Sequence, residues 1–302
     1  MSRIDLPILQ HHLLLYHKST LKNENHYQHP YNNIDSLTQF TKKETKMKNY
    51  FDLRGDVAIV TGASSGLGVQ FAKALANQGA KLALFARRED KLKKVAENIE
   101  NEYDVEVKYY VTDVTDSKKV DENVAKVISD FGKIDILVNN AGLGLSAPTT
   151  ETSDEDWLKM MDVNVNSLFY MARACAKNMK ENGYGRIINL GSIHSTVALP
   201  NGALTMYTTT KGAVRNLTKA LAVEWAKDGI TVNAIGPAYF ASEMTEGVLG
   251  DESFNQFIKM ADPMARTGKP GELDTALLMF ASHESSYTTG QLLSVDGGWT
   301  II

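Results

Sequence analysis

The chain has 302 residues, 43% of them hydrophobic and 23% charged, with a formal net charge of −4. That length suits one large α/β domain or two small ones, and so mild an acidity gives no electrostatic reason to expect nucleic acid or an anionic membrane as partner. The single cysteine, Cys175, excludes an intrachain disulfide and fits a reducing, cytoplasmic location, and no apolar run approaches the ~18 residues of a membrane helix.

Residues 1–47 stand apart. Five of the seven histidines lie there (His11, His12, His17, His26 and His29), with polar runs such as Lys22-Asn23-Glu24-Asn25 and no sustained periodicity. The segment reads as a disordered tail or an atypical extension ahead of a start at Met47. Its apolar stretch, Leu13 to Tyr16, is too short for a secretory signal. An ordered arm or a metal site is the rival reading. Scattered histidines without carboxylate or cysteine partners are poor metal ligands, and no metal is expected.

From Val57 short apolar runs rich in β-branched residues alternate with longer helical patterns. Strands are predicted near 57–61, 81–86, 106–111, 135–139, 186–190, 230–235 and 291–295, and helices near 66–78, 89–101, 117–130, 154–181, 207–227 and 270–281. Strictly alternating elements with nearly continuous apolar strands predict a parallel sheet covered by helices on both faces. No composition break divides the stretch, so 48–302 is read as a single doubly wound, Rossmann-type α/β domain.

The first predicted strand, Val57-Ala58-Ile59-Val60, runs into Thr61-Gly62-Ala63-Ser64-Ser65-Gly66-Leu67-Gly68 and then a helix. Gly62 permits the tight turn, Gly66 lets backbone approach a pyrophosphate, and Gly68 lets helix pack on strand. The N–H groups at such a helix start, around Ser64, Ser65 and Leu67, suit a dinucleotide phosphate. The second strand ends Leu84-Phe85-Ala86-Arg87-Arg88. An acidic residue there would grip a free ribose 2′-hydroxyl; Ala86 does not, and Arg87 offers a fork for a 2′-phosphate, with Arg88 taking its place if the turn is rotated by one residue. NADP(H) is therefore expected in preference to NAD(H). The plainer alternative is that both arginines form a solvated helix entry.

Further along, Arg186 to Leu190 reads as a strand, with Gly191-Ser192 at its C-terminal end, where open α/β sheets bind ligands. Tyr207 and Lys211, four residues apart, share one face of the next helix. A tyrosine with a pKa of about 10 is a poor base at neutral pH, and a neighbouring ammonium would lower it.

These motifs, together with Asn139-Asn140-Ala141-Gly142 and Asp162-Val163-Asn164-Val165, resemble those of the short-chain dehydrogenase/reductase family over about residues 50–302. The resemblance implies a seven-stranded sheet, catalytic Asn164, Ser192, Tyr207 and Lys211, and a proton relay through Tyr207, Lys211, Asn164 and water. It assigns Asp113, beside Val114, to adenine, and Asn140, with Ala141 and Gly142, to the cofactor. It implies nicotinamide contacts from Pro237, Phe240 and Ser242, a substrate lid over about 240–265, and homotetramer assembly through the helices at 154–181 and 207–227.

Departures from the family pattern bear on substrate. Ser192 and Tyr207 are 15 residues apart, slightly more than usual, so the loop between them is expected to touch substrate. The family's Pro-Gly reads Pro237-Ala238, followed by Tyr239-Phe240, an aromatic pair expected to shape the pocket. His194 is weighed as a substrate contact against an ordinary hydrogen-bonded loop residue. Tyr239 and Met244 are further substrate candidates. The lid is apolar and methionine-bearing, which suits bulky or varied substrates, but it also carries Ser242, Glu243, Thr245 and Glu246 for sugar hydroxyls. This segment is similar to gluconate 5-dehydrogenase-like and 3-oxoacyl reductase-like members. The function expected is NADP(H)-dependent reduction of a ketone or oxidation of the secondary alcohol. The alternatives are an NAD(H)-linked sugar-acid or hydroxysteroid dehydrogenase and, more remotely, a nucleotide-binding regulator without chemistry, which the intact Ser192, Tyr207, Lys211 and Asn164 oppose.

Overall fold

The computed structural model describes residues 48–302 except Asn201, Gly202, Met244 and Gly250. The expectations placed on residues 1–47 and on Met244 lie outside the described residues.

Seven strands form one parallel sheet: β1 (Val57–Thr61), β2 (Lys81–Ala86), β3 (Val107–Val111), β4 (Ile136–Asn139), β5 (Gly185–Leu190), β6 (Ile230–Pro237) and β7 (Leu292–Val295). Their spatial order is β3-β2-β1-β4-β5-β6-β7. The winding reverses between β1 and β4, so the connections leaving their C-terminal ends turn to opposite faces of the sheet, the place where such sheets take ligands. Alternate residues of a strand face opposite sides. In β1, Ala58 and Val60 join the core beneath α1 (Gly66–Asn77), α2 (Glu89–Tyr103) and a late helix at Asp274–Ala281, packing with Phe71, Leu92 and Phe280. Val57 and Ile59 join the opposite core, with Val124 of α3 (Ser117–Phe131), Met171 and Cys175 of the helix at Ser167–Asn182, and Trp225 of the helix at Thr205–Trp225. Each fully buried Leu, Ile or Phe in these layers stabilises the fold by roughly 1.5–3 kcal/mol.

The helical pattern read at 154–181 is interrupted. It forms α4 (Asp154–Met161), one π turn at Asp162–Asn166, and α5 (Ser167–Asn182). Next come α6 (Thr205–Trp225), α7 (Glu246–Leu249), α8 (Glu252–Ala261) and α9 (Asp274–Ala281). Three starts carry a side-chain cap: Asp116 accepts from the N–H groups of Lys118 and Lys119 at 3.0 and 3.1 Å, Ser153 from that of Asp156 at 3.0 Å, and Asp251 from that of Phe254 at 3.0 Å. At the start of α1, Ser65 makes no side-chain cap and the first turn holds no acidic residue. Among the described residues, no helix is long and apolar enough to cross a membrane.

Candidate active site

A cleft of about 610 Å³ opens over the C-terminal ends of β1, β2, β4, β5 and β6. It is lined by the glycine loop, Ala86, Arg87, Arg88, Asp113, Val114, Asn140 to Gly142, Ser192, His194, Tyr207, Lys211, and Pro237 to Phe240 with Ser242. Among the described residues, the structure thus gathers around one cavity those singled out from sequence, apart from Gly68, which packs behind it, and Asn164, which is buried beside the cleft.

The glycine loop is shaped for close approach. Gly62 and Gly66 have φ of +66° and +55°, which side-chain-bearing residues seldom adopt. A Cβ on Gly68 would lie 2.7 Å from Asn140 Nδ2, so that glycine keeps helix and loop together. Asn140 donates from Nδ2 to the carbonyl of Thr61 at 2.9 Å, and Thr61 Oγ1 accepts from the N–H groups of Asn140 and Ala141 at 3.0 Å each. Asn140 therefore binds the ends of β1 and β4 together and fixes the loop. The uncapped start of α1 leaves its first N–H groups to a ligand. This cradle fits a dinucleotide pyrophosphate, with Gly66 and Leu67 supplying backbone.

At the adenosine end the two arginines part. Arg87 acts on Asp113: burial opposes ionisation of that carboxyl, but hydrogen bonds from Thr115 and the charge of Arg87 outweigh it and hold the group below the usual carboxylate range. Arg88 turns onto the glycine loop, reaching Ser64 Oγ at 3.1 Å and Ser65 Oγ at 2.8 Å. Arg88 occupies the extended position just ahead of α2 (φ −88°, ψ 94°), and it is its guanidinium, rather than that of Arg87, that meets the loop hydroxyls.

At the other end, Ser192 is 7% exposed at the tip of β5. Its N–H donates to Ser195 Oγ, and its Oγ accepts from the N–H of His194, both at 3.2 Å. That turn holds the hydroxyl toward Tyr207. Lys211, 5% exposed, donates from Nζ to the carbonyl of Leu190 at 2.8 Å and stands 5.5 Å from the Tyr207 ring centroid. Burial pushes the Lys211 ammonium down to about 8. Burial also pushes the Tyr207 hydroxyl up to about 12, against hydrogen bonding with Ser192 that favours the phenolate. The expected lowering of Tyr207 by its lysine is therefore not found in this state. The ammonium is committed to Leu190, and loss of water outweighs its charge. What the cleft presents is a neutral phenol.

Asn164 lies in the π turn and is 1% exposed. Its Oδ1 accepts from the N–H of Leu143 at 2.7 Å, while Nδ2 donates to the Leu143 carbonyl at 2.8 Å and to Thr210 Oγ1 at 3.1 Å. Thr210 in turn donates to the carbonyl of Tyr207 at 2.8 Å. Asn164 thus ties the loop after β4 to the start of α6. His194, 5% exposed, meets the Tyr207 ring edge-on at 5.7 Å, and Nδ1 lies 3.3 Å from the Val197 carbonyl. Burial lowers its pKa, so it stands as a neutral wall behind Tyr207.

The aromatic pair does not act together. Tyr239 faces the cleft and packs with Phe254 and Trp299, ring centroids 5.0 and 5.6 Å away. Phe240, its neighbour in extended chain, points the other way into the core and fills the space over Gly268. Of the two rings, that of Tyr239 shapes the substrate side of the cleft. Sequence reasoning missed Thr61, Thr210 and Lys91, the last lying 3.0 Å from Glu243. No local pattern marks the contacts of Thr210 or Lys91; Thr61 was findable as the last strand residue before the loop.

Comparison with known proteins gives the same picture. A family model described as enoyl-(acyl carrier protein) reductase, of the short-chain type, matches residues 62–300. The chain is 42% identical over 251 residues to a gluconate 5-dehydrogenase of Gluconobacter oxydans, covering 83% of this chain and 97% of the relative. It is 38% identical over 255 residues to an L-tagatose-forming galactitol 2-dehydrogenase of Cereibacter sphaeroides, covering 84% and 98%. Among solved structures, a gluconate 5-dehydrogenase from Burkholderia cenocepacia in complex with NADP and tartrate superposes with a TM-score of 0.81 at 36% identity, covering 84% of this chain and 98% of that one. The chain belongs to the short-chain dehydrogenase/reductase family of nicotinamide-dependent oxidoreductases.

Proposed function

We propose that the protein is an NADP(H)-dependent dehydrogenase/reductase interconverting a ketone and a secondary alcohol on a short polyhydroxylated carbon chain. The observation that carries this reading is the buried group of Ser192, Tyr207 and Lys211 at the end of β5, on the same cleft as the glycine cradle. Bound nicotinamide would supply hydride to the carbonyl carbon, or take it from the alcohol carbon in reverse. Ser192 donates a hydrogen bond to the carbonyl oxygen and orients it. Tyr207 gives its hydroxyl proton to that oxygen as negative charge develops there. Lys211 would hold the ribose of the bound cofactor and, from 5.5 Å, offsets the charge left on Tyr207. With Asn164 anchoring the loop after β4, the proton is replaced through a water relay ending at Lys211.

The NADP(H) preference rests on Ala86, which brings no carboxylate to a ribose hydroxyl, and on the Arg88, Ser64 and Ser65 donors beside it. A relative crystallised with NADP agrees. For substrate, the relatives' names point to sugar acids and to polyols. Among the described residues lining the cleft, the cations are Arg87 and Arg88 at the adenosine end and Lys211, already engaged. Among the described lining residues no guanidinium stands beside Tyr207 to receive a substrate carboxylate, which favours a neutral polyol or ketose over a sugar acid. A cytoplasmic location accompanies this reading. The test is kcat/KM for NADPH and NADH with L-tagatose, 5-ketogluconate, a β-keto ester and a keto-steroid. Turnover of the polyhydroxy ketones with NADPH is expected, with L-tagatose ahead of 5-ketogluconate. Equal use of NADH, or turnover of the steroid alone, overturns the reading.

A further inference from the structure

The Arg88 fork does not stand open. Glu243, from the segment before α7, reaches across the glycine loop and places its carboxylate in the fork. Oε1 accepts from Arg88 Nη1 at 3.0 Å and from Lys91 Nζ at 3.0 Å; Oε2 accepts from Arg88 Nη2 at 2.9 Å and from Ser65 Oγ at 2.9 Å. These are the donors that a ribose 2′-phosphate needs: a planar guanidinium, an ammonium and a loop hydroxyl, all at the end of β2.

The presentation of Glu243 is built. Thr245 Oγ1 donates to the Phe240 carbonyl at 2.6 Å and accepts from the Ser242 N–H at 2.9 Å, closing a tight turn around the glutamate. That turn lies on the phosphate loop: a Cβ on Gly66 would stand 3.3 Å from Ser242 Cβ. Hydrogen bonds from Arg88, then Lys91 and Ser65, hold the Glu243 carboxyl down at about 2, so it is an anion at every working pH.

We propose that Glu243 is a cofactor-specificity residue acting by competition, an internal anion that occupies the 2′-phosphate site and must be displaced by NADP(H) but not by NAD(H). The proposal rests on the reading of Arg88 as the 2′-phosphate fork. It follows that NADP(H), and not NAD(H), breaks the tie between the lid and the glycine loop. The selectivity of the enzyme is then smaller than its exposed arginine and serines alone would give.

The test is calorimetric binding of NADPH, NADH and adenosine 2′,5′-bisphosphate to the full chain and its Glu243→Gln variant. The glutamine keeps the side-chain length and removes the charge. Binding of NADPH and of the bisphosphate should tighten about tenfold, equivalent to about 1.4 kcal/mol, with NADH unchanged. Unchanged binding of both 2′-phosphates, or equal tightening of NADH, overturns the proposal. Arg88→Ala separates this from the cofactor reading. If Arg88→Ala weakens NADPH alone while Glu243→Gln does nothing, the NADP(H) preference stands and the competition falls. If the unaltered enzyme binds both cofactors equally and Glu243→Gln tightens NADPH tenfold, the preference falls and the competition stands.

Discussion

Replacing Lys211 by Met should cost the enzyme its activity while changing its stability at neutral pH very little. Lys211 is 5% exposed, and its ammonium is held at about 8 against 10.5 in water. The folded chain thus binds this proton more weakly than the unfolded chain, by about 3 kcal/mol. Methionine removes that cost but also the charge-assisted hydrogen bond to the Leu190 carbonyl, worth about 1.5–3 kcal/mol. The two nearly cancel, so at pH 7 the difference should stay within about 1 kcal/mol, where truncating a buried residue usually costs about 2–5 kcal/mol. The sharper readout is pH. Between pH 8 and 10.5 the unfolded chain carries more of this proton than the folded one, so stability rises with pH for Lys211 and not for Met. The unaltered protein should gain about 2–3 kcal/mol on the variant over that range. Urea denaturation of the cofactor-free proteins, at one protein concentration and several pH values, measures it; a flat difference would show that the ammonium is not desolvated.

Three further outcomes are expected. Tyr207→Phe should lower turnover roughly 10²–10⁴-fold while leaving NADPH binding nearly intact in a fluorescence titration, since only the proton donor is lost; most of the activity surviving would overturn the mechanism. A chain beginning at Met47 should fold and keep activity, because every assigned residue lies at Thr61 or later; a marked fall in melting temperature would show that the tail is an ordered arm. The helices α4 to α6 leave Trp157, Leu158, Phe169 and Val223 at 37%, 59%, 42% and 82% exposure, so a homotetramer is expected in light scattering, and Phe169→Asp with Val223→Asp should reduce its mass. A monomer at micromolar concentration would refute the assignment of that surface.

The sheet was legible because its five inner strands are buried on both faces. Val57 to Thr61 and Lys81 to Ala86 are almost wholly enclosed, and such runs admit few other readings. The exposed face of α4 and α5 was legible only in part: Met160, Leu168 and Met171 lie in the core, and the exposed residues are Trp157, Leu158 and Phe169. A 3.6-residue period cannot separate these, since both faces of α4 and α5 carry large apolar side chains. Nor does it register the π turn at Asp162–Asn166, which shifts the phase of a continuing helix and thereby turns Asn164 toward Leu143. Which of Arg87 and Arg88 turns onto the glycine loop depends on one backbone rotation at the end of β2. Glu243 meets Arg88 across 155 residues, a contact no local pattern encodes. The parting of Tyr239 and Phe240 was within reach, because adjacent residues of an extended segment face opposite ways.

The two ends of the cleft differ in how firmly physics fixes them. Around Tyr207 and Lys211 burial sets the chemistry: both groups are driven toward their neutral forms, and each polar contact is made in a dry setting where losing a partner is costly. Substitutions there act on the barrier itself. Around Arg88, Lys91 and Glu243 the side chains are 45%, 55% and 47% exposed, so water can replace any partner and each ion pair is worth about 1 kcal/mol or less. On the proposed reading, cofactor preference is built from several such small and opposing contributions, attraction from Arg88 and displacement of Glu243 among them. A single charge change at the adenosine end is then enough to move the preference by an order of magnitude, while the proton donor and its lysine, on the far side of the nicotinamide site, are left as they were.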